Sequence, residues 1–216
     1  MPDAPVIAYP LSMPEGNIAN LVFTTESSQQ VSEAPRSLAR SVVDWGGERW
    51  RVQATVQRGT YVDTARWRAF FVRMRGSVGT FLLNPYGAGG AGQTGEWNSA
   101  NEHTGGLPPI SVKAEQRIDD HRITLTTSLR LDDAFKAGDF IQIGQGSNAR
   151  LHMILDDVSL TSADTTINIW PRARADASGE IVVEDPRGVF YFRDPTASWT
   201  RDNLWHHEIS FTAYST

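Results

Sequence analysis

The chain has 216 residues, 40% of them hydrophobic and 21% charged, which is typical of a folded protein with one large β domain or two small ones. A formal net charge of −5 excludes the overall basic character of nucleic-acid-binding proteins, and the lack of cysteine excludes disulfides and cysteine-ligated zinc. No apolar run approaches the roughly 20 residues of a membrane-spanning helix. Because the start, MPDAPVIAYPLSMPEG, lacks a basic region followed by an apolar one, we expect an extended arm over residues 1–17 and no secretory signal.

Short strands are predicted after this arm. Residues 21–25 and 36–45 have strand character and are separated by the polar sequence ESSQQVSEAP, which predicts a loop over 26–35. Gly46-Gly47 is typical of a tight turn into a further strand over 48–58. In that strand apolar residues at every second position alternate with polar ones, so one face is expected to be buried.

A helix is predicted over residues 60–75. Thr60 and Asp63 form a variant of the capping box at its start, and Gly76 is suited to the left-handed position just beyond its end. At about 100° per residue two apolar faces emerge, with arginines along their borders. The small face consists of Val62, Ala65, Ala69 and Val72, the bulky face of Trp67, Phe70, Phe71 and Met74, and the borders of Arg66 and Arg73 on one side and Arg68 and Arg75 on the other.

Two apolar faces exceed what a single core requires of one helix. We expect the small face to pack on the chain's own sheet and the bulky face to point away from it. Either another segment of the same chain or a second subunit can cover the bulky face. We predict a subunit interface, formed by Trp67, Phe70, Phe71 and Met74 with Arg66 and Arg73 beside them.

The remaining sequence predicts an inserted β unit. A strand over 79–83 ends at Asn84-Pro85 and is followed by a glycine-rich loop over 86–109. Short strands separated by turn residues then predict a small barrel or sandwich in 110–185. These strands are expected over 110–117, 121–126, 139–143, 150–155, 165–170 and 180–183. Alternating segments over 189–193 and 208–214 are expected to rejoin the first domain, which therefore comprises 1–85 and 186–216.

Chemical motifs are weak throughout the chain. The sequence from Gly144 to Ala149 matches the dinucleotide-binding glycine pattern, but a strand follows it instead of a helix, so it predicts a hairpin turn. His206 and His207 are adjacent on a predicted strand and point to opposite faces, which disfavours binding of one metal ion. The other histidines are scattered along the chain, at His103, His121 and His152.

Acidic pairs are equally poor candidates for a catalytic or metal site. They lie near turns and lack the alternation of a calcium loop, so we interpret them as turn residues and solvated edges. The pairs are Asp119-Asp120, Asp132-Asp133 and Asp156-Asp157. A carboxylate-based glycosidase has no supporting motif, and no nucleophile elbow is present. We therefore predict that the protein is not an enzyme and has no catalytic residue, cofactor or metal site.

Several segments in order resemble the tail-tip proteins of long-tailed bacteriophages, in particular distal tail proteins and related minor tail proteins. The first are RWRV, the helix RWRAFFVRMRG and the strand SVGTFLLNP. The inserted β unit of that family is similar to FKAGDFIQIG, ARLHMILDDV and TINIWPRARA here, and the closing PRGVFYF and ISFTA are similar to its final strands. The similarity covers most of residues 36–214. Ala173 departs from it, because the family pattern has leucine at this place.

The resemblance implies a structural protein of the virion. Distal tail proteins form a ring, usually a hexamer, that joins the tail tube to the tail-tip hub around the channel for DNA. The implied fold is a tail-tube-like β-sandwich with one flanking helix, plus an inserted barrel of oligosaccharide-binding or galectin-like type. The implied partners are further copies of the chain, the tail tube protein and the hub protein, with side fibres or a host glycan as further candidates. The implied location is the tail tip of a virion assembled in the bacterial cytoplasm, without membrane insertion and with DNA only as passing cargo.

An alternative function is a carbohydrate-binding β module that contacts host surface glycans. Seven tryptophans are many for a chain of this length, and indole rings stack well on sugars. Trp97, Trp170 and Trp199 are the candidate stacking residues under this hypothesis.

Overall fold

The protein is mainly β, as expected from the sequence, with one α-helix. The computed structural model describes residues 7–14, 18–33, 35, 38, 40–56, 61–86, 110–119, 121–128, 130–161, 164–174, 177–194, 200–201 and 207–216. In chain order its elements are β1 (Leu11–Ser12), β2 (Ile18–Glu33), β3 (Arg40–Val56), α1 (Tyr61–Met74), β4 (Thr80–Leu83), β5 (Ser111–Asp119), β6 (Arg122–Thr126), β7 (Leu131–Phe135), β8 (Phe140–Ile143), a 3-10 turn (Gly146–Asn148), β9 (Arg150–Ile154), β10 (Val158–Leu160), β11 (Thr165–Trp170), β12 (Gly179–Val182), β13 (Gly188–Tyr191), β14 (Thr200–Arg201) and β15 (His207–Ser215).

Seven strands form one sheet in the order β1-β4-β13-β15-β3-β2, with β14 paired to β15. The final strands β13 and β15 therefore lie between β4 and β3, which come from the first part of the chain. Trp50, Val52, Ala54 and Val56 on β3 are all buried, which confirms the predicted alternation. They form one face of a core to which α1 contributes from the same side of the sheet.

The orientation of the helix is the reverse of the prediction. Its bulky residues Trp67, Phe70, Phe71 and Met74 are buried in the chain's own core, whereas Val62 and Val72 of the small face are 57% and 68% exposed. The reason is hydrophobic: large side chains remove more apolar area from water than small ones, and the sheet offers Phe81, Phe192 and Phe211 as aromatic partners.

The end of the helix follows the prediction more closely. Helical structure ends at Met74, and Gly76 adopts the left-handed conformation with φ of 70°. The backbone N–H of Gly79 donates to the Met74 carbonyl at 2.9 Å, and the Tyr9 hydroxyl donates to the Arg73 carbonyl at 2.8 Å. These donors satisfy carbonyls that lack partners within the helix. The predicted cap residue Thr60 lies outside the described residues.

The first hairpin differs from the prediction in two places. Residues 26–33, predicted as loop, continue β2, and β3 runs through Gly46-Gly47 without turning. Ser27 pairs with Glu48 and Gln29 pairs with Asp44, so three residues of β3 face one residue of β2 in a bulge. Gly46 has a φ of 74°, which allows the local bend. The glycine pair therefore marks a bulge, and the strands are connected through residues 34–39.

The inserted segment contains a closed barrel of six strands in the order β11-β6-β5-β12-β8-β9, and β7 pairs with β10 beside it. A second core of mainly aliphatic side chains fills this unit. Strands β8 and β9 are antiparallel and are joined through the 3-10 turn, so the glycine pattern at 144–149 is a hairpin connection as predicted. Apart from Tyr86, the predicted glycine-rich loop over 86–109 falls outside the described residues.

Trp50 connects the sheet to the barrel. Its indole N–H donates to the Leu151 carbonyl at 3.0 Å, and its ring meets Trp170 edge to face with centroids 4.4 Å apart. Leu151 belongs to the core of the sheet although it lies on the barrel strand β9. The two units therefore share buried contacts at this junction.

Candidate self-association surfaces

The residues predicted to form a subunit interface are divided by the structure. Trp67, Phe70, Phe71 and Met74 are between 0% and 7% exposed, so they have no surface to offer a second subunit. The prediction that these four residues form a subunit interface is wrong, because the chain's own sheet covers them. Arg66 and Arg73 remain exposed on the outer side of the helix. Of the two alternatives for covering the bulky face, another segment of the same chain is therefore the one that the structure shows.

The outer face of the helix is a mixed surface of small apolar and basic side chains. Val62, Arg66, Ala69 and Arg73 follow one another at intervals of three or four residues, so they form a stripe along the helix. Val72 flanks this stripe and is 68% exposed. We call these five residues the outer helix face.

A second exposed apolar surface lies on the far part of the first hairpin. We define the distal hairpin as residues 26–33 and 40–47. Val31 pairs with Val42 and Gln30 pairs with Val43, so valines project from both faces of this two-stranded ribbon. Val31, Val42 and Val43 are 46–49% exposed, and Trp45 at the bulge is 67% exposed.

Both backbone edges of the distal hairpin are open among the described residues. Strand β2 is the terminal strand of the sheet and pairs with β3 alone. On its other side β3 pairs with β15 only from Arg51 to Val56. The N–H and C=O groups along such edges can pair with a strand of another chain.

The base of the distal hairpin is fixed to the barrel through Glu48. Its carboxylate lies 2.9 Å from Nε2 of His121 and accepts from the Arg172 backbone N–H at 2.8 Å. Arg172 also contacts Asp44 on the hairpin at 3.3 Å. Burial alone would raise the pKa of Glu48, but the hydrogen bonds from His121 and Arg172 outweigh burial and lower it. Glu48 is therefore a carboxylate anchor between the hairpin and the barrel.

The opposite face of the hairpin base is fixed to the sheet through Arg49. Its guanidinium donates to Glu26 across the strand pair at 2.7 Å and to the Tyr191 hydroxyl at 3.2 Å. It also lies over the Tyr214 ring, 4.5 Å from the centroid. Because neighbouring residues Glu48 and Arg49 hold opposite faces of β3, the distal hairpin is held in one direction relative to both units.

An acidic surface lies beside the barrel where β7 pairs with β10. We define the acidic patch as Asp132 and Asp133 on β7 with Leu155, Asp156 and Asp157 before β10. Lys136 lies 3.1 Å from Asp133 and 3.3 Å from Asp157, so four aspartates and this lysine carry a formal charge of −3. Leu155 is 41% exposed among them.

Buried polar groups in the barrel have structural partners. His152 is buried, and its Nδ1 donates to the Pro171 carbonyl at 2.8 Å. Burial lowers the pKa of His152 to about 4, so the ring is neutral at pH 7. Within the described ranges no group of three or more histidine or acidic side chains is arranged to hold a metal ion. His103 and His206 lie outside those ranges.

The candidate sugar-stacking residues do not form a platform in the described part of the chain. Trp170 is partly buried and packs against Trp50. Trp97 and Trp199 lie outside the described residues. Trp170, the one of these three residues that the structure describes, therefore offers no free ring face for stacking, and the tryptophan that is most exposed among the described residues is Trp45 on the distal hairpin.

No protein-family model matches the chain, and no curated protein matches it either.

Among the described residues, no helix has the length and apolar character needed to cross a membrane.

The sequence patterns did not single out the distal hairpin or the acidic patch as candidate surfaces. Residues 26–33 are polar except for Val31, so they lack the alternation that marks a strand with one buried face. One signal in the sequence is the group of Val42, Val43 and Trp45, three β-forming residues within four positions. Apolar residues on both faces of the ribbon leave apolar area exposed on both sides of it.

Proposed function

We propose that the protein is a structural component of a phage virion, a distal tail adaptor that assembles into a ring at the tail tip. The observation that carries the proposal is the distal hairpin, with exposed valines on both faces and two open edges. The ordered motifs that resemble distal tail proteins support the phage context. The ring, with the tail tube on one side and the hub on the other, encloses the channel through which DNA passes.

Ring formation follows from the two-sided character of the hairpin. Closed rings of more than two subunits require heterologous contacts, in which each copy presents two different surfaces. The two edges of the hairpin differ in sequence, and its two faces differ in composition. Apolar side chains exposed on a monomer gain free energy when a neighbour covers them, at about 25 cal/mol per Å² of apolar area.

The hairpin is also prepared for this contact. Glu48 and Arg49 hold its base to the barrel and to the sheet, so little order has to be imposed on binding. An interface element that is fixed beforehand binds with a smaller entropic cost than a mobile one. The finer architecture in this proposal is a tail-tube-like domain with one flanking helix, which forms the ring, and an oligosaccharide-binding-like or galectin-like barrel outside it.

Assembly of the purified chain tests the proposal. Val42→Lys and Val43→Lys each place a charge on one face of the distal hairpin, at positions that are 46% and 47% exposed in the monomer. Val22→Lys is the matched control, because Val22 is 42% exposed on the same strand pair but lies outside the distal hairpin. Mass photometry gives the oligomer distribution, and negative-stain electron microscopy gives the shape of the particles.

We expect wild type and Val22→Lys to form closed rings, and both hairpin variants to associate at least about tenfold more weakly. Immunogold labelling of intact virions should then mark the tail tip. Wild-type protein that stays monomeric at concentrations on the order of 100 µM, where contacts far weaker than a micromolar Kd are populated, contradicts the proposal. Hairpin variants that form rings as well as wild type contradict the role of the hairpin.

A further inference from the structure

The outer helix face and the acidic patch are opposite in charge and lie on different units of the chain. Arg66 and Arg73 give the outer helix face a formal charge of +2, although the whole chain carries −5. The acidic patch carries −3. The chain therefore presents a basic surface and an acidic surface, each without a covering element among the described residues.

Apolar exposure accompanies the charge at both places. Val62 and Val72 are exposed beside Arg66 and Arg73 on the helix, and Leu155 is exposed among the aspartates of the patch. Leu155 is also the one large hydrophobic residue of the described barrel segment that is exposed. Contacts between proteins commonly combine a small apolar centre with charges around it. Both surfaces have that composition, with opposite sign.

We propose that the outer helix face of one copy docks on the acidic patch of a second copy of this chain. The arginines Arg66 and Arg73 face Asp132 and Asp156, and the small apolar side chains between them on the outer helix face cover Leu155. This inference rests on the proposed ring, because a contact between two different surfaces of identical chains is the heterologous kind that a ring repeats. In this contact the barrel also takes part in the subunit interface, whereas a contact through the hairpin alone does not involve the barrel.

The charge complementarity selects a second copy over an unrelated partner. The complement of each surface is present on the same polypeptide at equal concentration. Lys136 lies between Asp133 and Asp157 and neutralises part of the patch, while Asp132 and Asp156 are exposed and leave charge for a partner. Opposite charges on facing surfaces also orient the approaching subunit.

A charge swap tests the contact in the full chain. Arg66→Glu with Arg73→Glu makes the outer helix face acidic, and Asp132→Arg with Asp156→Arg makes the patch basic. All four positions are exposed, so far-UV circular dichroism and thermal melting should show folded protein. The matched control for the helix variant is Arg174→Glu with Arg193→Glu, which has the same change of net charge at exposed positions outside both surfaces.

We expect each charge-swapped double variant to self-associate roughly 10- to 100-fold more weakly than wild type in mass photometry at low salt, and the control to behave as wild type. A 1:1 mixture of the two double variants should form rings again, because alternating subunits bring opposite charges together at every junction. Wild-type rings should also loosen as salt rises from 50 to on the order of 500 mM.

Two results overturn the inference, and they differ in what they say about the ring. If the helix variant forms rings like the control, the helix–patch contact is wrong while the proposed ring stands. If both double variants fail and their mixture also fails, the two surfaces do not face each other, although each affects assembly. Wild-type protein that remains monomeric overturns the inference together with the proposed function.

Discussion

Replacement of Phe70 by alanine distinguishes a core helix from an interface helix. Phe70 is 5% exposed and lies in an aromatic cluster of the chain's own core, with ring centroids 5.6 Å from Phe81 and 5.8 Å from Trp67. If its bulky face contacted a second subunit, Phe70→Ala would leave the monomer stable and only disturb assembly. The structure predicts the opposite, a direct loss of monomer stability.

The size of the loss follows from burial and packing. Truncation of a buried phenylalanine costs about 3–5 kcal/mol, because transfer free energy is lost and a cavity remains. The edge-to-face contacts with Phe81 and Trp67 place this site towards the upper end, since aromatic pairs add roughly 0.5–1.5 kcal/mol beyond area. For a chain of this length about 1 kcal/mol shifts the melting temperature by roughly 2–4 °C, so a loss of about 5 kcal/mol should lower it by roughly 10–20 °C.

Val72→Ala is the control on the same helix. Val72 is 68% exposed, so its truncation should change stability by no more than about 0.5 kcal/mol. Thermal melts followed by far-UV circular dichroism, at a concentration where wild type is monomeric, compare the two variants. Equal melting temperatures for Phe70→Ala and Val72→Ala, combined with lost assembly in Phe70→Ala, would refute the packing described here and return the bulky face to the interface.

Two further predictions concern titratable groups at the junction and in the barrel. Glu48→Gln should lower the free energy of unfolding by about 1–3 kcal/mol at pH 7, measured by urea denaturation. Because the folded chain lowers the pKa of Glu48, the difference in stability from wild type should shrink as the pH falls below 4.5. A difference in stability that does not change with pH would contradict the role of Glu48 as an anchor. His152 has a pKa of about 4 in the folded chain against 6.5 in a model compound, so the unfolded chain takes up its proton first and stability should fall by about 3 kcal/mol between pH 6.5 and 4. His152→Gln should flatten that part of the profile, and an unchanged slope shows that another group is responsible.

The helix illustrates which part of the fold is predictable from sequence. Its span and its left-handed glycine follow from local rules, since periodicity and backbone conformation depend on near neighbours. The choice between its two apolar faces does not, because it depends on the aromatic partners in the sheet. Phe81 is close to the helix in sequence, but Phe192 and Phe211 lie more than a hundred residues beyond its end. The larger apolar area of the bulky side chains decides which face of the helix packs on the sheet. This outweighs the closer approach of helix and sheet that the small residues would allow.

The distal hairpin shows a different limit. A strand with one buried face is recognised in the sequence by alternating apolar and polar residues, as in β3 from Trp50 to Val56. A ribbon exposed on both faces has no reason to alternate in the monomer, so residues 26–33 resemble a loop. The glycine pair at Gly46-Gly47 adds to the error, because a bulge and a tight turn both select glycine for its conformational freedom.

The distribution of exposed apolar side chains ties the two proposals together. In the part of the chain that the structure describes, every exposed large hydrophobic residue lies on the β2–β3 hairpin, on the helix and the turn after it, or at Leu155 in the acidic patch. Scattered single exposures need no explanation, but confinement to three places does. Apolar side chains on both faces of a ribbon, and valines between arginines, remain exposed to water in the monomer. The proposed ring would cover them, because each copy in a ring is bound by a different surface of the next one. In that proposal the hairpin supplies most of the buried apolar area, and the oppositely charged helix and patch determine which neighbour fits and in what orientation.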